Sequence, residues 1–129
     1  MILLDTHVLI WMSLDPSHLS KPASAAILHA RSTDAVCVSD ITLWEIALLA
    51  HRGKIQISGT VDSFLHEISL PIVVKPITAA IAAMTVQFPD SYPRDPADRL
   101  IGATSKVEGL PLVTADVALR RSPLLETVW

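Results

Sequence analysis

The sequence contains one cysteine, no long apolar run and few aromatic residues. The single cysteine, Cys37, excludes a disulfide framework and a cysteine-based metal site, which is typical of proteins of a reducing compartment. Apolar runs such as residues 79–84 are far shorter than the roughly 18 residues that a membrane-spanning helix needs. Asp5 and His7 interrupt the first apolar stretch, so we expect no signal peptide. These absences together predict a cytoplasmic protein.

Aromatic residues make up 5% of the 129 residues, whereas hydrophobic residues make up 50%. A core of aliphatic side chains is typical of helices packed on a buried sheet, and this apolar content excludes intrinsic disorder. The length fits one domain over residues 1–129, which needs no disulfide or zinc ion to fold. The formal net charge of −3 argues against a nucleic-acid partner, unless the acids belong to a cation site.

Short aliphatic runs alternate with helical segments along the chain. Strands are predicted at residues 2–4, 35–38, 72–74 and 110–113, with a candidate edge strand within residues 124–129. Helices are predicted at residues 8–14, 40–52, 60–69, 78–86 and 96–109, and a further helix begins after Ser20. This alternation predicts an α/β domain with a mainly parallel sheet and helices on both faces. Functional sites in such sheets lie beyond the carboxyl ends of the strands.

Two aspartates occupy such positions. Asp5 directly follows the first strand, and Asp116 follows the strand at residues 110–113 after a two-residue extension. Both side chains would therefore project from the same edge of the sheet. A lone aspartate after a strand is also a common helix cap or turn residue, so neither position identifies a site by itself.

Glu45 lies near the middle of a helix that is apolar on almost every side. This composition predicts a buried helix, with Ser39 as its cap. A buried glutamate needs a partner, which is either a metal ion or a base such as Arg52 or a lysine.

Asp95 and Asp98 lie on either side of the start of the helix at Pro96. Asp95 is the predicted cap and Pro96 the first helical residue, which makes Asp98 the third. An acid there favours the positive end of the helix dipole. Taken alone, this segment is explained as a capping motif.

Carboxylates that converge at one sheet edge would have to be neutralised. Two of them about 5 Å apart repel by roughly 3 kcal/mol at an effective dielectric constant of about 20. Ligands that are all oxygen select hard cations, here Mg²⁺ or Mn²⁺. Such a cation can activate water and brace a phosphodiester for in-line attack without any histidine or cysteine.

Four segments, in this order, resemble the PIN-domain ribonucleases, and among them the VapC toxins of bacterial toxin–antitoxin pairs. They are residues 3–11 (LLDTHVLIW), 38–47 (VSDITLWEIA), 94–103 (RDPADRLIGA) and 112–116 (LVTAD). Any one of these motifs is weak, but four in the correct order cover essentially the whole chain. The departures are mild: Thr42 stands where serine is common, Ala97 where an aromatic residue is common, and Gly102 where alanine is usual.

The resemblance implies a Mg²⁺- or Mn²⁺-dependent endoribonuclease that hydrolyses RNA phosphodiester bonds. It implies a catalytic metal site formed by Asp5, Glu45, Asp98 and Asp116, with Asp95 and Thr114 as secondary residues. It further implies a homodimer and a VapB-like antitoxin, a segment of which lies across the acidic groove. None of the departures removes an acid.

Basic residues near these motifs are candidates for RNA phosphate contacts, although most surface arginines are only solvated. Arg94 and Arg99 flank the Asp95–Asp98 motif and either contact phosphates or organise the start of the helix. The other candidates are Arg52, Lys54, Arg120 and Arg121. Trp11 and Trp44 are predicted to be core or interface residues rather than base-stacking platforms, and His7 a hydrogen-bonded structural residue.

Other functions are compatible with parts of this pattern. A phosphatase of the haloacid dehalogenase type also starts with a strand that ends in aspartate, but it needs a second aspartate where this chain has His7. A phospho-acceptor receiver module needs an acid pair near the first strand and a late lysine. A non-catalytic PIN-like module that binds RNA or protein remains the main alternative, and it would be expected to lack at least one acid.

Overall fold

The fold is built on five short strands, and every neighbouring pair of strands is parallel. The computed structural model describes residues 1–129. The strands are β1 (Ile2–Leu4), β2 (Val36–Ser39), β3 (Val73–Lys75), β4 (Leu112–Val113) and β5 (Thr127–Val128). They lie in the order β3-β2-β1-β4-β5. The predicted edge strand near the end of the sequence is therefore confirmed, and β1 occupies the centre.

Seven helices connect and cover the strands. They are α1 (Thr6–Leu14), α2 (Lys21–Thr33), α3 (Asp40–His51), α4 (Val61–Ser69), α5 (Ala79–Thr85), α6 (Pro96–Glu108) and α7 (Val117–Arg121). Five of them match the predicted helices to within about two residues at each end, which is the usual scatter of such boundaries, and α2 begins directly after Ser20 as predicted. Helix α7 was not predicted, because its five residues are too few for a periodic pattern. No helix is long and apolar enough to cross a membrane.

The two faces of the sheet bury two separate groups of side chains. Successive residues of a strand point to opposite faces, so Leu4 packs with α1, α2, α3 and α4, whereas Leu3 packs with α5, α6 and α7. Both leucines are fully buried. Cys37 is buried on the second face as the small apolar residue that was predicted. The fold is therefore the predicted α/β domain with helices on both faces.

Local signals set most helix ends. The hydroxyl oxygens of Ser20, Thr60 and Thr78 accept hydrogen bonds from the first turns of α2, α4 and α5. Gly53, beyond α3, has a φ of 70° and takes the left-handed conformation predicted for it. Ser39 precedes α3 as predicted but does not cap it: its hydroxyl is buried and makes no hydrogen bond within the protein.

Helix α3 is only half-buried, which corrects the prediction that its apolar composition would bury it on all sides. Thr42 and Ile46 are its buried residues, whereas the side chain of Trp44 is exposed by 58%. The core interpretation of Trp44 is therefore wrong. Composition shows that a helix can be buried on any face, but the number of neighbouring elements decides how many faces are covered.

Candidate metal centre

The strand order brings Asp5 and Asp116 to the same edge of the sheet. Strands β1 and β4 pair directly, with Leu4 opposite Val113. Asp5 follows β1 and caps α1, and Asp116 follows β4 and caps α7 through a 3.1 Å bond from the Leu119 amide. Each residue therefore has the capping role that sequence reasoning allowed. The caps do not exclude a site, because a carboxylate has further lone pairs to offer.

Thr114 joins these two aspartates. Its hydroxyl donates a 2.6 Å hydrogen bond to Oδ2 of Asp5 and accepts a 3.1 Å bond from the Asp116 amide. Thr114 and Asp5 are both buried, so this bond forms where water does not compete with it. The secondary residue implied by the resemblance thus fixes the positions of two candidate ligands.

Helix α3 brings Glu45 to the same edge. The Thr6 hydroxyl donates a 2.5 Å hydrogen bond to Oε1 of Glu45 and lies 3.1 Å from the Thr42 hydroxyl. No arginine or lysine forms an ion pair with Glu45, so the predicted alternative of a basic partner is wrong. Burial, partly offset by the Thr6 bond and reinforced by the charges of Asp5 and Asp95, raises the pKa of Glu45.

Asp98 lies in the first turn of α6, where Asp95 is the cap. Oδ1 of Asp95 accepts a 3.1 Å hydrogen bond from the Asp98 amide, which confirms the predicted capping role of Asp95. The carboxylate of Asp98 accepts no hydrogen bond from the protein. Burial, together with the negative charges of Asp5, Asp95, Asp116 and Glu45, raises the pKa of Asp98 from 3.8 to about 7. Asp98 is therefore close enough to the other three predicted ligands for their charges to oppose its ionisation.

The donor set suits a hard divalent cation. All four acids contribute oxygen, and their mutual repulsion is the unfavourable energy that a cation would remove. No three of the acidic, histidine or cysteine side chains are arranged so that they could hold one ion between them. This spread suits Mg²⁺, which is commonly bound through one or two carboxylates while it keeps several waters.

His7 and Arg99 have structural partners. Nε2 of His7 accepts a 3.2 Å hydrogen bond from the Ala115 amide, and its Nδ1 lies 3.6 Å from Oδ2 of Asp5. Arg99 donates 2.9 Å and 3.4 Å bonds to the carbonyls of Thr85 and Tyr92. His7 therefore is the hydrogen-bonded residue that was predicted. Arg99 organises the approach to α6, and its contact with a phosphate stays a prediction.

Arg94 is exposed and forms no ion pair, so its assignment as a phosphate contact stays a prediction.

An open groove of about 350 Å³ adjoins Glu45 and Asp95. Trp44 and Arg52 line this groove, so both lie beside the acids.

Sequence reasoning did not assign the hydroxyls of Thr6 and Thr42 to the site. Both positions carry a signal that could have identified them. Thr6 directly follows a candidate ligand, and Thr42 lies three residues before Glu45, on the same side of a helix. A hydroxyl one helical turn from a half-buried acid is a natural hydrogen-bond donor to it.

Comparisons with known proteins agree with this architecture. The model of the PIN domain family matches residues 2–123. Ribonuclease VapC22 of Mycobacterium tuberculosis is 44% identical over 130 residues, which span 99% of this chain and 98% of that protein.

Solved structures share the fold. A chain of VapBC2 from Rickettsia felis, bound to a DNA fragment from its promoter, superposes with a TM-score of 0.76 at 16% identity over 98% of this chain and 97% of that chain. A chain of FitAcB from Neisseria gonorrhoeae superposes with a TM-score of 0.63 at 28% identity over 92% and 89% of the two chains.

Proposed function

This chain belongs to the PIN-domain family, and from that premise we propose that it is the endoribonuclease toxin of a VapBC-type toxin–antitoxin pair, dependent on Mg²⁺ or Mn²⁺. The observation that supports this proposal most directly is the set of four acids at one edge of the sheet, where burial and the charges of the neighbouring acids raise the pKa of Asp98 to about 7. A fold gains nothing in stability from such a set unless a cation binds there. The non-catalytic alternative expects a missing acid, and no acid is missing.

One or two of the four acids Asp5, Glu45, Asp98 and Asp116 would bind the cation directly, and the others would reach it through its waters. A divalent ion in such a site supplies Lewis acidity, which activates water and stabilises the charge that develops on a phosphodiester. The protein's own contribution is to orient the acids. Thr114 holds Asp5 beside Asp116, and Thr6 holds Oε1 of Glu45, which leaves Oε2 free of protein partners.

The relatives named above also bear on partners. VapC proteins occur with VapB proteins in the complexes to which this fold is similar, and we propose a VapB-like antitoxin for this chain. The groove beside Glu45 and Asp95 is a suitable place for an antitoxin segment, because exposed Trp44 offers apolar contact next to the acids. We also propose a homodimer, which light scattering at micromolar concentration would test; a strict monomer would contradict it.

Cleavage of a labelled RNA tests the enzymatic proposal. The parent protein should cut the RNA in Mg²⁺ or Mn²⁺ and stop in EDTA, and Glu45→Gln and Asp116→Asn should not cut under any of these conditions. Asp62→Asn is the matched control, because Asp62 is an exposed acid on α4 outside the cluster. Full cleavage in EDTA, or by the Glu45 and Asp116 variants, would reject the metal-dependent mechanism.

A further inference from the structure

Trp129 directly follows β5, as Thr114, the residue that bonds Asp5 and Asp116, directly follows β4. The two strands are parallel, with Val113 opposite Val128. The residues that follow them therefore emerge at the same edge of the sheet, which is also the edge of Asp5. Trp129 thus belongs to the border of the metal centre, although it is far from Asp5 in sequence.

Aromatic rings lead from Asp5 to Trp129. His7, whose Nδ1 lies 3.6 Å from Oδ2 of Asp5, packs edge-on against Trp11 at a centroid distance of 4.9 Å. Trp11 in turn lies 5.7 Å from the ring of Trp129 and stacks on His18 at 5.4 Å. Trp11 therefore contacts three aromatic rings, one of which is that of Trp129. Trp129 itself stays partly exposed.

Two arginines at the end of α7 lie beside Trp129. Helix α7 begins after Asp116 and ends with Arg120 and Arg121. At a rise of about 1.5 Å per residue, Arg120 lies about 6 Å along the helix axis from Asp116. Both arginines are exposed, and neither forms an ion pair. Together with Val117, Thr127 and Trp129 they line an open pocket of about 440 Å³.

We propose that Trp129, Arg120 and Arg121 form a subsite for one unpaired nucleotide of the RNA, next to the phosphodiester that is cut. Trp129 stacks on the base, and the arginines contact the neighbouring phosphates. The subsite rests on the proposed ribonuclease function, and it would set where the strand lies on the acids.

The chemistry of this surface fits RNA in two ways. An aromatic face accepts any base and is typical of proteins that bind single strands, where each stacked base adds appreciable affinity. Unpaired arginines supply positive charge that can bind phosphate in a protein whose net charge is −3. The pocket is also of the size that holds a small ligand group.

Binding of a short labelled single-stranded RNA tests the subsite. The RNA is one that the parent cleaves, and its binding is measured on the Asp98→Asn background by fluorescence anisotropy. Trp129→Leu should weaken binding by about tenfold, while Trp129→Phe, which keeps a ring, should retain most of the affinity. In steady-state cleavage by otherwise unchanged protein, the Trp129→Leu loss should fall mainly on KM, because the nucleotide is held before and during the reaction.

The arginines are tested by salt dependence. Arg120→Gln with Arg121→Gln should reduce the slope of log K against log salt by roughly 1.4, since each phosphate contact to a single strand contributes about 0.7. Lys21→Gln with Lys106→Gln makes the same change of charge at exposed positions elsewhere and should leave the slope as it is. Because all four side chains are exposed, these variants remain informative even if Trp129→Leu folds poorly.

Removal of single bases from the RNA locates the nucleotide. Removal of the base that faces Trp129 should weaken RNA binding by the parent about tenfold. On that abasic RNA, Trp129→Leu should cause little further loss of affinity, because the base and the ring contact each other directly. Additive losses at every abasic position would overturn the subsite. The subsite would also be overturned if the arginine variants bound RNA as the parent does but no longer bound a VapB-type partner. The surface would then be a protein-binding site.

The two proposals fail in different ways. If the parent cleaves RNA while the Trp129 and arginine variants bind and cleave as the parent does, only the subsite is wrong. If the parent neither binds nor cleaves RNA in Mn²⁺, the ribonuclease function is wrong and the subsite falls with it.

Discussion

Individual acids of the centre differ in how far the protein already stabilises their charge. Asp5 accepts hydrogen bonds from the Thr6 amide and the Thr114 hydroxyl, and Asp116 accepts one from the Leu119 amide. Glu45 accepts one from Thr6. Asp98 accepts none, although it is near all the others. Among the four acids, the Asp98 carboxylate is therefore the one that depends most on a proton or a bound cation. Substitution of Asp98 should show most clearly whether a cation binds at the site.

Replacement of Asp98 by asparagine should stabilise the metal-free protein near neutral pH. Because the pKa of Asp98 is raised from 3.8 to about 7 in the fold, the native state binds more protons than the unfolded state between these values. Stability should then fall as pH rises from about 4 to about 7, and asparagine removes that loss. After allowance for solvent screening, the gain above pH 7 is about 1–2 kcal/mol.

Thermal melting in EDTA measures this effect, and RNA cleavage in Mn²⁺ measures the function of the same variant. Parent and Asp98→Asn should melt alike near pH 4 and diverge toward neutral pH, and the variant should not cleave. If Asp98 only supports the start of α6, Asp98→Asn will keep cutting at the parent rate. That result would remove Asp98 from the metal centre.

Thr114 should matter more to cleavage than its contribution to stability suggests. Thr114→Val keeps the shape but removes the bond to Asp5 and the acceptor for the Asp116 amide, which should cost about 1–3 kcal/mol. Cleavage should fall about 10- to 100-fold, as is common when residues behind metal ligands are lost.

Thr104→Val is the matched control. Thr104 is as fully buried as Thr114, but its hydroxyl bonds only to the Leu100 carbonyl of its own helix. Denaturant unfolding and cleavage rates should be measured for both variants. Equal losses of cleavage in the two would mean that Thr114 has no special link to the acids.

Among the elements of the fold, those defined by local signals could be predicted and those defined by contacts could not. Strand β1 is an unbroken aliphatic run that ends at an acid, and α6 has a cap, a proline and a closing glycine, so both were predicted within two residues. Which face of α3 is exposed depends on the elements that pack against the helix. The pattern of apolar residues within α3 does not contain that information.

The same division applies to the site. Asp5 and Asp116 could be placed at one edge because parallel strands share a direction, and the motif order supplied Glu45 and Asp98. The hydroxyl contacts of Thr6 and Thr114 depend on rotamers and on the pairing of β1 with β4. The position of Trp129 beside the acids needs the register of β5, a strand of two residues.

Gly102 shows how α6 is fitted to the preceding loop. A Cβ atom there would overlap the side chain of Tyr92, whose hydroxyl donates a hydrogen bond to the Asp98 carbonyl and whose ring stacks on Phe88. Glycine thus replaces the usual alanine so that Tyr92 can lie against the helix. Gly102→Ala should destabilise the protein by about 1–3 kcal/mol through this overlap, despite a gain of roughly 1 kcal/mol in helix propensity.

A double substitution separates the overlap from other effects. Tyr92→Phe alone loses the bond to the Asp98 carbonyl, but in the Gly102→Ala background it also removes the hydroxyl that the new methyl group meets. The double variant should therefore be more stable than the sum of the two single losses, as measured by denaturant unfolding. Strict additivity would show that Tyr92 is not the obstacle.

At the scale of the whole molecule, the proposed ribonuclease function makes RNA binding depend on charge. The net charge is −3, and the acids of the proposed centre lie at the edge where, under that proposal, the RNA phosphates would bind. Without a cation, these acids should repel RNA, and a divalent cation should reverse the local sign. Binding should therefore depend on the cation even in a protein that cannot cut.

Affinity of a Glu45→Gln variant for labelled RNA tests this dependence. Binding should be weak in EDTA, should strengthen in Mg²⁺, and should then decline steeply with added monovalent salt, because phosphate contacts release counterions. Asp98→Asn with Asp116→Asn should bind RNA in EDTA better than Glu45→Gln does, since removing two charges imitates part of the effect of the cation. Monovalent salt of matched ionic strength is the control for general screening, which acts on all exposed charges alike. Equal affinity in EDTA and in Mg²⁺ would mean that the phosphates do not meet these acids, and the metal centre would then have to be sought elsewhere on the molecule.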